Sequence, residues 1–320
     1  MTMAQLAALA GVSVSTVSKA FSGSNEISEE KREHIFKIAR KEGCYDKYTK
    51  NPYNRNVIAV ICPEFKSRLY SEQLSLLESE IKKRDATMIV SCTDFNYERE
   101  EELLTFFSEY SKVVVIIVYG MHSEKEFSLP IVSMSETHNN CDSVHVSSET
   151  AVTEAIKHFK EYGHRDIAFI GETLTVSKQD TFKKAMQKNK LTINDEYIIE
   201  GKGRFESAGY TAMNKLFELK KPPTAILAAY DDIAIGAMKS IYEHGLKIPE
   251  DISIIGMDNI KETPYLSVPL TSITSYNEDL CQIAVDMLFE KIKCRKLIKN
   301  IKLSRELIKR GSVGKVKKTE

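Results

Sequence analysis

Residues 2–23 read TMAQLAALAGVSVSTVSKAFSG, and this stretch has the pattern of two short helices joined by a tight turn. Thr2 caps the first predicted helix, with Gln5 three residues later to complete a capping box. A glycine ends that helix, and Ser13 caps the second, which we predict over about residues 14–21. Two short helices that meet at a glycine-containing turn are typical of the helix-turn-helix.

A third helix follows in the sequence. Ser28 is its predicted cap, and the two glutamates after it lie at the positive end of the helix dipole. Ile35, Ile38 and Ala39 recur at the spacing of an apolar stripe. Three such helices close one small core, so we predict an all-α helix-turn-helix domain over residues 1–43.

Two strings in this domain carry a family resemblance, namely Ala7-x3-Gly11-Val12-Ser13-x2-Thr16-Val17-Ser18-Lys19 and Ser28-Glu29-Glu30-x-Arg32. They closely resemble the head of the lactose/galactose repressor (LacI/GalR) family. In that family the second helix enters the major groove of DNA, which implies contacts with base edges and with phosphates. The base-edge contacts fall on Val14, Ser15 and Lys19. The phosphate contacts fall on Ser13, Thr16 and Ser18.

The family usually has an arginine where this chain has Lys19. A lysine donates to guanine as a point charge, without the guanidinium fork, so we expect weaker discrimination at that base. The alternative interpretation is a small amphipathic bundle that packs on the rest of the protein. Residues 1–56 contain nine Lys/Arg and six Asp/Glu, so their net charge is +3, and that of the remaining chain is −3. This asymmetry modestly favours DNA binding, and so small an excess favours paired heads.

From residue 57 onward, short runs rich in valine and isoleucine alternate with amphipathic stretches. Continuous apolar strands separated by helices are typical of parallel sheets covered on both faces. Because there are two sets of strands, we predict two doubly wound α/β lobes over residues 57–312. The predicted strands are Val57–Cys62, Thr87–Cys92, Val113–Tyr119, Ile131–Met134, Ile167–Gly171, Tyr197–Glu200, Thr224–Ala229 and Ile252–Met257. The predicted helices are Tyr70–Arg84, Tyr97–Tyr110, Ser148–Tyr162, Lys178–Asn189, Phe205–Leu219 and Ile233–His244.

The two-lobed part also resembles the LacI/GalR family, across nearly its full length. The residues that carry the resemblance include Tyr162-Gly163-His164-Arg165-x-Ile167, Asp231-x-x-Ala234-x-Gly236 and Pro249-Glu250-Asp251-Ile252 with Asp258. The resemblance implies a periplasmic-binding-protein-like effector domain. A small sugar-like effector would bind in the cleft between the lobes, at the carboxyl ends of the strands.

The family's effector site carries over onto four positions of this chain. Asp258 stands at the acidic position that accepts sugar hydroxyls, and Lys178 replaces an arginine. Tyr230 replaces an asparagine, and Ser135 replaces a frequent aspartate. From its own position near the end of the first strand–helix loop, Tyr70 is a candidate aromatic platform for a ligand ring. These departures leave the identity of the effector open.

Each candidate also has a structural interpretation. Asp258 could cap the turn after its strand, Lys178 could be a solvated helix residue, and Tyr70 could be a core residue. We expect Asp231 to be structural rather than ligand-binding, because an aspartate at a helix start satisfies free backbone N–H groups.

Residues 44–56 have the composition of a linker, with Lys47, Lys50 and Arg55 as candidate phosphate contacts. In the family this stretch forms a hinge helix on DNA that inserts a leucine into the minor groove. Here the stretch contains no leucine. Tyr48 or Tyr53 is the candidate wedge, and Pro52 confines any helix to begin there.

Several other sites are disfavoured. The six cysteines are scattered and include no Cys-x-x-Cys pair, so we expect reduced thiols rather than a disulfide framework. The cluster His138, Cys141, Asp142 and His145 lacks zinc spacing, and we expect His145 to lie on a strand. Gly201-x-Gly203 lacks the third glycine of a dinucleotide site, so we expect neither metal nor cofactor. We also expect a cytoplasmic protein without membrane contact, because no apolar run approaches roughly 20 residues and no signal peptide is recognised.

The sequence therefore predicts a DNA-binding transcriptional regulator, with repression the favoured sense, and no enzymatic activity. Its expected partners are a near-palindromic double-stranded operator, a small-molecule effector and a second copy of the chain. The tail, residues 313–320, holds no apolar heptad, so we expect a dimer rather than a tetramer. The rival classes are a solute-binding receptor and an enzyme of doubly wound fold, and the fold alone does not decide between them.

Overall fold

The computed structural model describes residues 1–24, 26–48, 56–109, 113–136, 141–293 and 297–317. The chain divides into two compact units, Met1–Asn56 and Val57–Glu320, called here the head and the body. The predictions for Lys50, Pro52, Tyr53, Arg55 and His138 fall outside the described residues.

The head begins with three helices, α1 (Met3–Ala10), α2 (Val14–Phe21) and α3 (Glu29–Lys41). The predicted capping box is confirmed, because the Gln5 amide donates to Thr2 Oγ1 at 3.3 Å and the Thr2 amide donates to Gln5 Oε1 at 2.8 Å. Ser13 caps α2 and Ser28 caps α3, as predicted. The turn between α1 and α2 passes through Gly11 at φ +63°, a conformation that favours glycine.

A fourth short helix, α4 (Tyr45–Tyr48), follows α3 in the segment that the sequence analysis treated as linker. Its two tyrosines lie against the head core, with ring centroids 5.8 Å and 5.7 Å from that of Phe21. Cys44 is buried in the same core. Aromatic packing therefore extends the head through Tyr48.

The first lobe of the body begins with five strands and two helices. They are β1 (Asn56–Cys62), α5 (Arg68–Lys83), β2 (Ala86–Cys92), α6 (Tyr97–Glu109), β3 (Val113–Val118), β4 (Ile131–Ser133) and β5 (Asp142–Ser147). The apolar residues of β1 and β3 are almost completely buried, because helices cover both faces of the sheet.

The second lobe follows with the same alternation. Its elements are α7 (Glu149–Glu161), β6 (Ile167–Gly171), α8 (Val176–Lys188), β7 (Ile198–Glu200), α9 (Glu206–Phe217), β8 (Ala225–Ala228), α10 (Asp231–Glu243), β9 (Ser253–Asp258) and β10 (Thr271–Thr274). Helices α9 and α10 approach so closely that a Cβ on Gly236 would lie 1.9 Å from the Glu206 carbonyl oxygen. The glycine in the motif Asp231-x-x-Ala234-x-Gly236 is thus required by helix packing.

The chain passes between the lobes three times. After β5 it enters the second lobe, and after β10 it returns to the first lobe as α11 (Asn277–Ile292) and β11 (Asn300–Ser304). It then crosses once more to β12 (Leu307–Ile308). The first sheet has the order β11-β5-β4-β3-β1-β2 and the second β12-β10-β9-β8-β6-β7. The pairing of β12 with β10 is antiparallel, and the other described pairings are parallel.

The predicted fold class is confirmed, with a helical head and a two-lobed α/β body. All eight predicted strands are present within a residue or so of their predicted bounds. Strands β10, β11 and β12 and helix α11, which form or flank the crossings, were not predicted, and β5 was expected only as a strand at His145. None of the helices in the described part of the chain combines the length and the apolarity that crossing a bilayer requires.

Candidate functional site

The DNA contacts predicted on α2 and its cap are the exposed residues of that helix, apart from Thr16. Val17, Ala20 and Phe21 are its buried residues. Ser13 Oγ accepts the Thr16 amide at 3.1 Å and lies 2.8 Å from the Thr16 hydroxyl, so this pair fixes the start of the helix. The exposed members of the predicted set are Ser13, Val14, Ser15, Ser18 and Lys19, and Thr16 is half-buried.

Lys19 forms an ion pair with Glu26, and both side chains are well exposed, at 46% and 68%. The hydrogen bond and charge of Lys19 lower the pKa of the Glu26 carboxyl below its usual range. An exposed pair of this kind contributes little to stability, so a phosphate or a guanine can replace Glu26 as the partner of Lys19.

Lys47, the remaining described candidate for phosphate contact, lies on α4. Its Nζ donates to the Met1 carbonyl oxygen at 3.1 Å, and Tyr48 Oη donates to the same oxygen at 2.8 Å. The side chain is exposed, and its ammonium has further donors. Phosphate contact by Lys47 therefore stays a prediction.

In the body, a cavity of about 510 Å³ lies between the lobes, where the three crossings meet. We call it the main chamber. Its volume is within the usual range for a small-molecule site. Its lining includes Tyr70, Tyr119, Ser135, Glu136, His145, Ser147, Ser148, Glu149, Ser177, Lys178, Thr181, Ser275, Lys302 and Arg305.

Asp258 ends β9 beside this chamber and is almost completely buried. Its Oδ1 accepts Arg305 Nη1 at 3.1 Å and the Ser275 hydroxyl at 3.2 Å. Its Oδ2 lies 3.8 Å from Lys178 Nζ, which donates to the Ala229 carbonyl oxygen at 2.9 Å. One carboxylate thus holds two cations from different elements.

The electrostatics of this cluster follow from burial and proximity. Burial alone would raise the pKa of Asp258, but the charges of Lys178 and Arg305 outweigh it, so the pKa lies below its usual range. Burial lowers the pKa of Lys178, and Asp258 opposes that shift. Asp258 is therefore ionised at neutral pH and fixed in position.

A smaller cavity of about 100 Å³ lies on the other side of Tyr70 and Lys178. We call it the small chamber. Arg204 of the second lobe lies beside it and donates to Glu64 of the first lobe at 2.7 Å and to Glu172 of its own lobe at 2.8 Å. Arg68 of the first lobe pairs with Glu206 at 2.8 Å and with Asp232 in the second. Ion pairs therefore join the lobes across the cleft.

The chain matches two family models. Residues 2–44 match bacterial regulatory proteins of the lacI family, and residues 156–313 match the periplasmic binding protein-like domain. It is 28% identical over 332 residues to the HTH-type transcriptional regulator MalR of Clostridium butyricum, which covers 98% of this chain and 99% of that protein. The head therefore carries a lacI-family DNA-binding domain, and the body carries a periplasmic binding protein-like domain.

Solved structures are similar to this chain over most of its length. The lac repressor dimer bound to operator and an anti-inducer gives a TM-score of 0.75 at 22% identity, covering 98% of this chain and 99% of that one. A LacI family transcriptional regulator from Enterococcus faecalis with bound ribose gives a TM-score of 0.70 at 25% identity, covering 82% of this chain and 100% of that one. The chain is a DNA-binding transcriptional regulator with an effector-binding body, as predicted.

The structure brings the five predicted effector residues to the two chambers. Tyr70, Ser135 and Lys178 line the main chamber. Tyr70 and Lys178 also line the small chamber, with Tyr230 and Asp258. The Tyr230 ring lies 5.3 Å from Lys178 Nζ and 6.1 Å from the Phe205 ring, so it occupies volume that the family's asparagine would leave open.

Tyr70 combines the two roles considered for it. Its ring packs edge-on against Tyr119, with centroids 5.3 Å apart, and burial raises its pKa to about 12. It also lines both chambers. Asp231 has the structural role that was expected, but its partners are the Ile260 amide at 2.9 Å and the Ser272 hydroxyl at 2.6 Å rather than the start of its own helix.

Arg305 and Tyr119 were not predicted as site residues, and His145 was considered only as a metal ligand. Within the described part of the chain, Arg305 Nε, Tyr119 Oη and both ring nitrogens of His145 are buried without a hydrogen-bond partner, and all three residues line the main chamber. Each such group costs about 1–3 kcal/mol. Unsatisfied polar groups around a cavity indicate a binding site. Extending the strand expected at His145 to its carboxyl end would have placed this residue there.

Proposed function

We propose that this protein is a repressor that reads an operator with α2 and releases or binds it according to the effector in the main chamber. The observation that carries the proposal is the exposure of Ser13, Val14, Ser15, Ser18 and Lys19 on a capped helix. Val14 is apolar, yet it is 47% exposed and is not part of the head core. A groove of DNA with thymine methyl groups would bury it.

The body supports control by a small molecule. A ligand between the lobes favours whichever lobe arrangement it contacts better, and it shifts the population accordingly. Ser135, Thr181 and Ser275 offer hydroxyl groups in the main chamber, which suits a polar, sugar-like effector. We place no catalytic step in this cleft, because Asp258 is engaged by Arg305, Lys178 and Ser275.

We further propose that the protein acts as a dimer on a near-palindromic operator. A head with a net charge of +3 has low affinity for DNA when alone, and two linked heads raise the effective affinity. The head uses most of its apolar residues in its own core, so we place the dimer contact on the body. A relative from this family is a dimer on its operator, which supports the same arrangement.

Substitution of Lys19 tests the DNA-reading surface. Because Lys19 is the sole cation on α2, we expect Lys19→Ala to weaken binding to the preferred operator by about 1–3 kcal/mol, and to leave the fold intact since the side chain is exposed. Fluorescence anisotropy at one fixed salt concentration measures the affinity.

Lys37→Ala is the matched control, because Lys37 is an exposed lysine on α3 of the same head. It should reduce affinity less than Lys19→Ala does. Equal affinity of Lys19→Ala and the wild-type protein for the preferred operator would remove α2 as the reading helix.

A further inference from the structure

The charged side chains around the main chamber are unevenly distributed. Lys178 and Arg305 form part of its inner wall, with side chains 26% and 13% exposed. The carboxylates that line it, Glu136 and Glu149, are both exposed at its rim. Lys302, a third cation, also lines the rim. The inner wall is therefore cationic.

The neighbouring carboxylates do not neutralise this wall. Asp258 is a single negative charge shared by Lys178 and Arg305. Burial raises the pKa of Asp231 to about 8, so this carboxyl is mostly protonated at pH 7. Glu64 and Glu172 both bind Arg204 on the side of the small chamber and do not line the main one. One positive charge is left at the inner wall.

The same wall offers polar groups that have no hydrogen-bond partner among the described residues. Arg305 uses Nη1 for Asp258, while its Nε has no hydrogen-bond acceptor. The Tyr119 hydroxyl and the His145 ring nitrogens are also unpaired, and Tyr119 is 9% exposed. Guanidinium, ammonium, phenol and imidazole groups together are typical of a site for carboxylate or phosphate oxygens.

We propose that the effector carries an oxyanion, a carboxylate or a phosphate, and that this group binds in the main chamber against Lys178 and Arg305. The inference rests on the proposed function, since it specifies the charge of the ligand that the same cleft senses. It also places the ligand on the main-chamber side of Lys178, because Tyr230 and the Arg204 ion pairs leave only about 100 Å³ in the small chamber. A volume of that size holds about three water molecules.

Inorganic phosphate and acetate are the probes that test this proposal. Each is titrated into the full-length protein at constant ionic strength set with KCl, and the midpoint of thermal unfolding, Tm, is measured for wild type and Lys178→Met. A ligand that binds the native state raises Tm with saturation. We expect at least one probe to raise the wild-type Tm in this way, with an apparent Kd about tenfold weaker or more in Lys178→Met.

The difference in Tm response between wild type and Lys178→Met reports binding in the cleft alone. Phosphate also strengthens burial generally and binds basic heads, but those effects are the same in both proteins. Lys178→Arg should keep the response, and Lys157→Met, an exposed lysine of the second lobe, should behave as wild type. If Lys178→Met does not fold, Lys178→Gln gives the same comparison, because it also removes the charge but keeps a polar side chain.

The two probes distinguish the source of the oxyanion. A Lys178-dependent response to phosphate alone identifies a phosphorylated effector, and a response to acetate identifies a carboxylated one. Equal responses of wild type and Lys178→Met to both probes would overturn the proposal. Operator binding by the same wild-type preparation reports separately on the proposed function, since it would persist if only the oxyanion were wrong.

Discussion

Asp258→Ala is expected to lower the free energy of unfolding of the body by about 3–5 kcal/mol and to abolish the effector response. The substitution leaves Lys178 and Arg305 as buried cations without their shared carboxylate, and breaking a buried pair from one side has an effect of this size. Urea unfolding followed by far-UV circular dichroism measures the change. The head has its own core, so operator binding without effector should survive at temperatures where the body is folded.

Asp180→Ala is the matched control for this change, because Asp180 is an exposed aspartate on α8 of the same lobe. Surface substitutions of this kind usually stay within about 0.5 kcal/mol of wild type. A similarly small change for Asp258→Ala would mean that Asp258 caps a turn and does not anchor the charge cluster.

Arg204→Met is expected to separate the lobes. It removes the ion pair with Glu64 across the cleft and leaves Glu172, whose side chain is 2% exposed, without its guanidinium partner. Arg204 itself is 37% exposed, so we expect a loss of stability of about 2–3 kcal/mol, below the full effect of breaking a buried pair. Small-angle X-ray scattering should show a larger radius of gyration, because an arrangement with the two lobes further apart gains population.

Lys202→Met provides the comparison, since Lys202 is an exposed cation two residues away. Its scattering profile should match that of wild type. If Arg204→Met also leaves the profile unchanged, the Arg204 ion pairs do not hold the lobes together.

Local patterns were sufficient to predict the helices of the head and most helices and strands of the body. Caps at Thr2, Ser13 and Ser28 are encoded within three residues of each helix start, so the sequence predicts them without tertiary information. Buried parallel strands are likewise recognisable as apolar runs. Helix α4 was missed, because the four residues YDKY have no periodicity and are held by packing on Phe21.

The crossings could not be read from local patterns. The buried residues of helix α11 form one broad apolar stripe, but nothing local in that stripe indicates that the helix returns to the first lobe; they are Leu280, Cys281, Ala284, Val285, Met287 and Leu288. Strand β11 alternates exposed and half-buried residues and pairs with β5, which lies far earlier in the chain. Arg305 was missed for the same reason, since it reaches Asp258 only through the third crossing.

The family resemblance brought Lys178 and Asp258 together, and the structure supports their proximity. It could not show that Arg305 would occupy Asp258 Oδ1, or that Tyr230 would fill the space beside Lys178. Those facts depend on which side chains meet across the cleft. They also change the expected chemistry. The carboxylate of Asp258 is ion-paired rather than available to accept sugar hydroxyls, and the wall beside it is cationic.

Selection of operator sequences from a random pool of double-stranded DNA, with the full-length protein, tests the central claim most directly. The expected result is enrichment of near-palindromic sequences whose half-sites lie about one helical turn apart, bound by two copies of the chain. Lys19→Ala should lose affinity for the enriched sequence. Retention of DNA without any enriched sequence, or of a single half-site by a monomer, would contradict a dimeric regulator that reads its operator with α2.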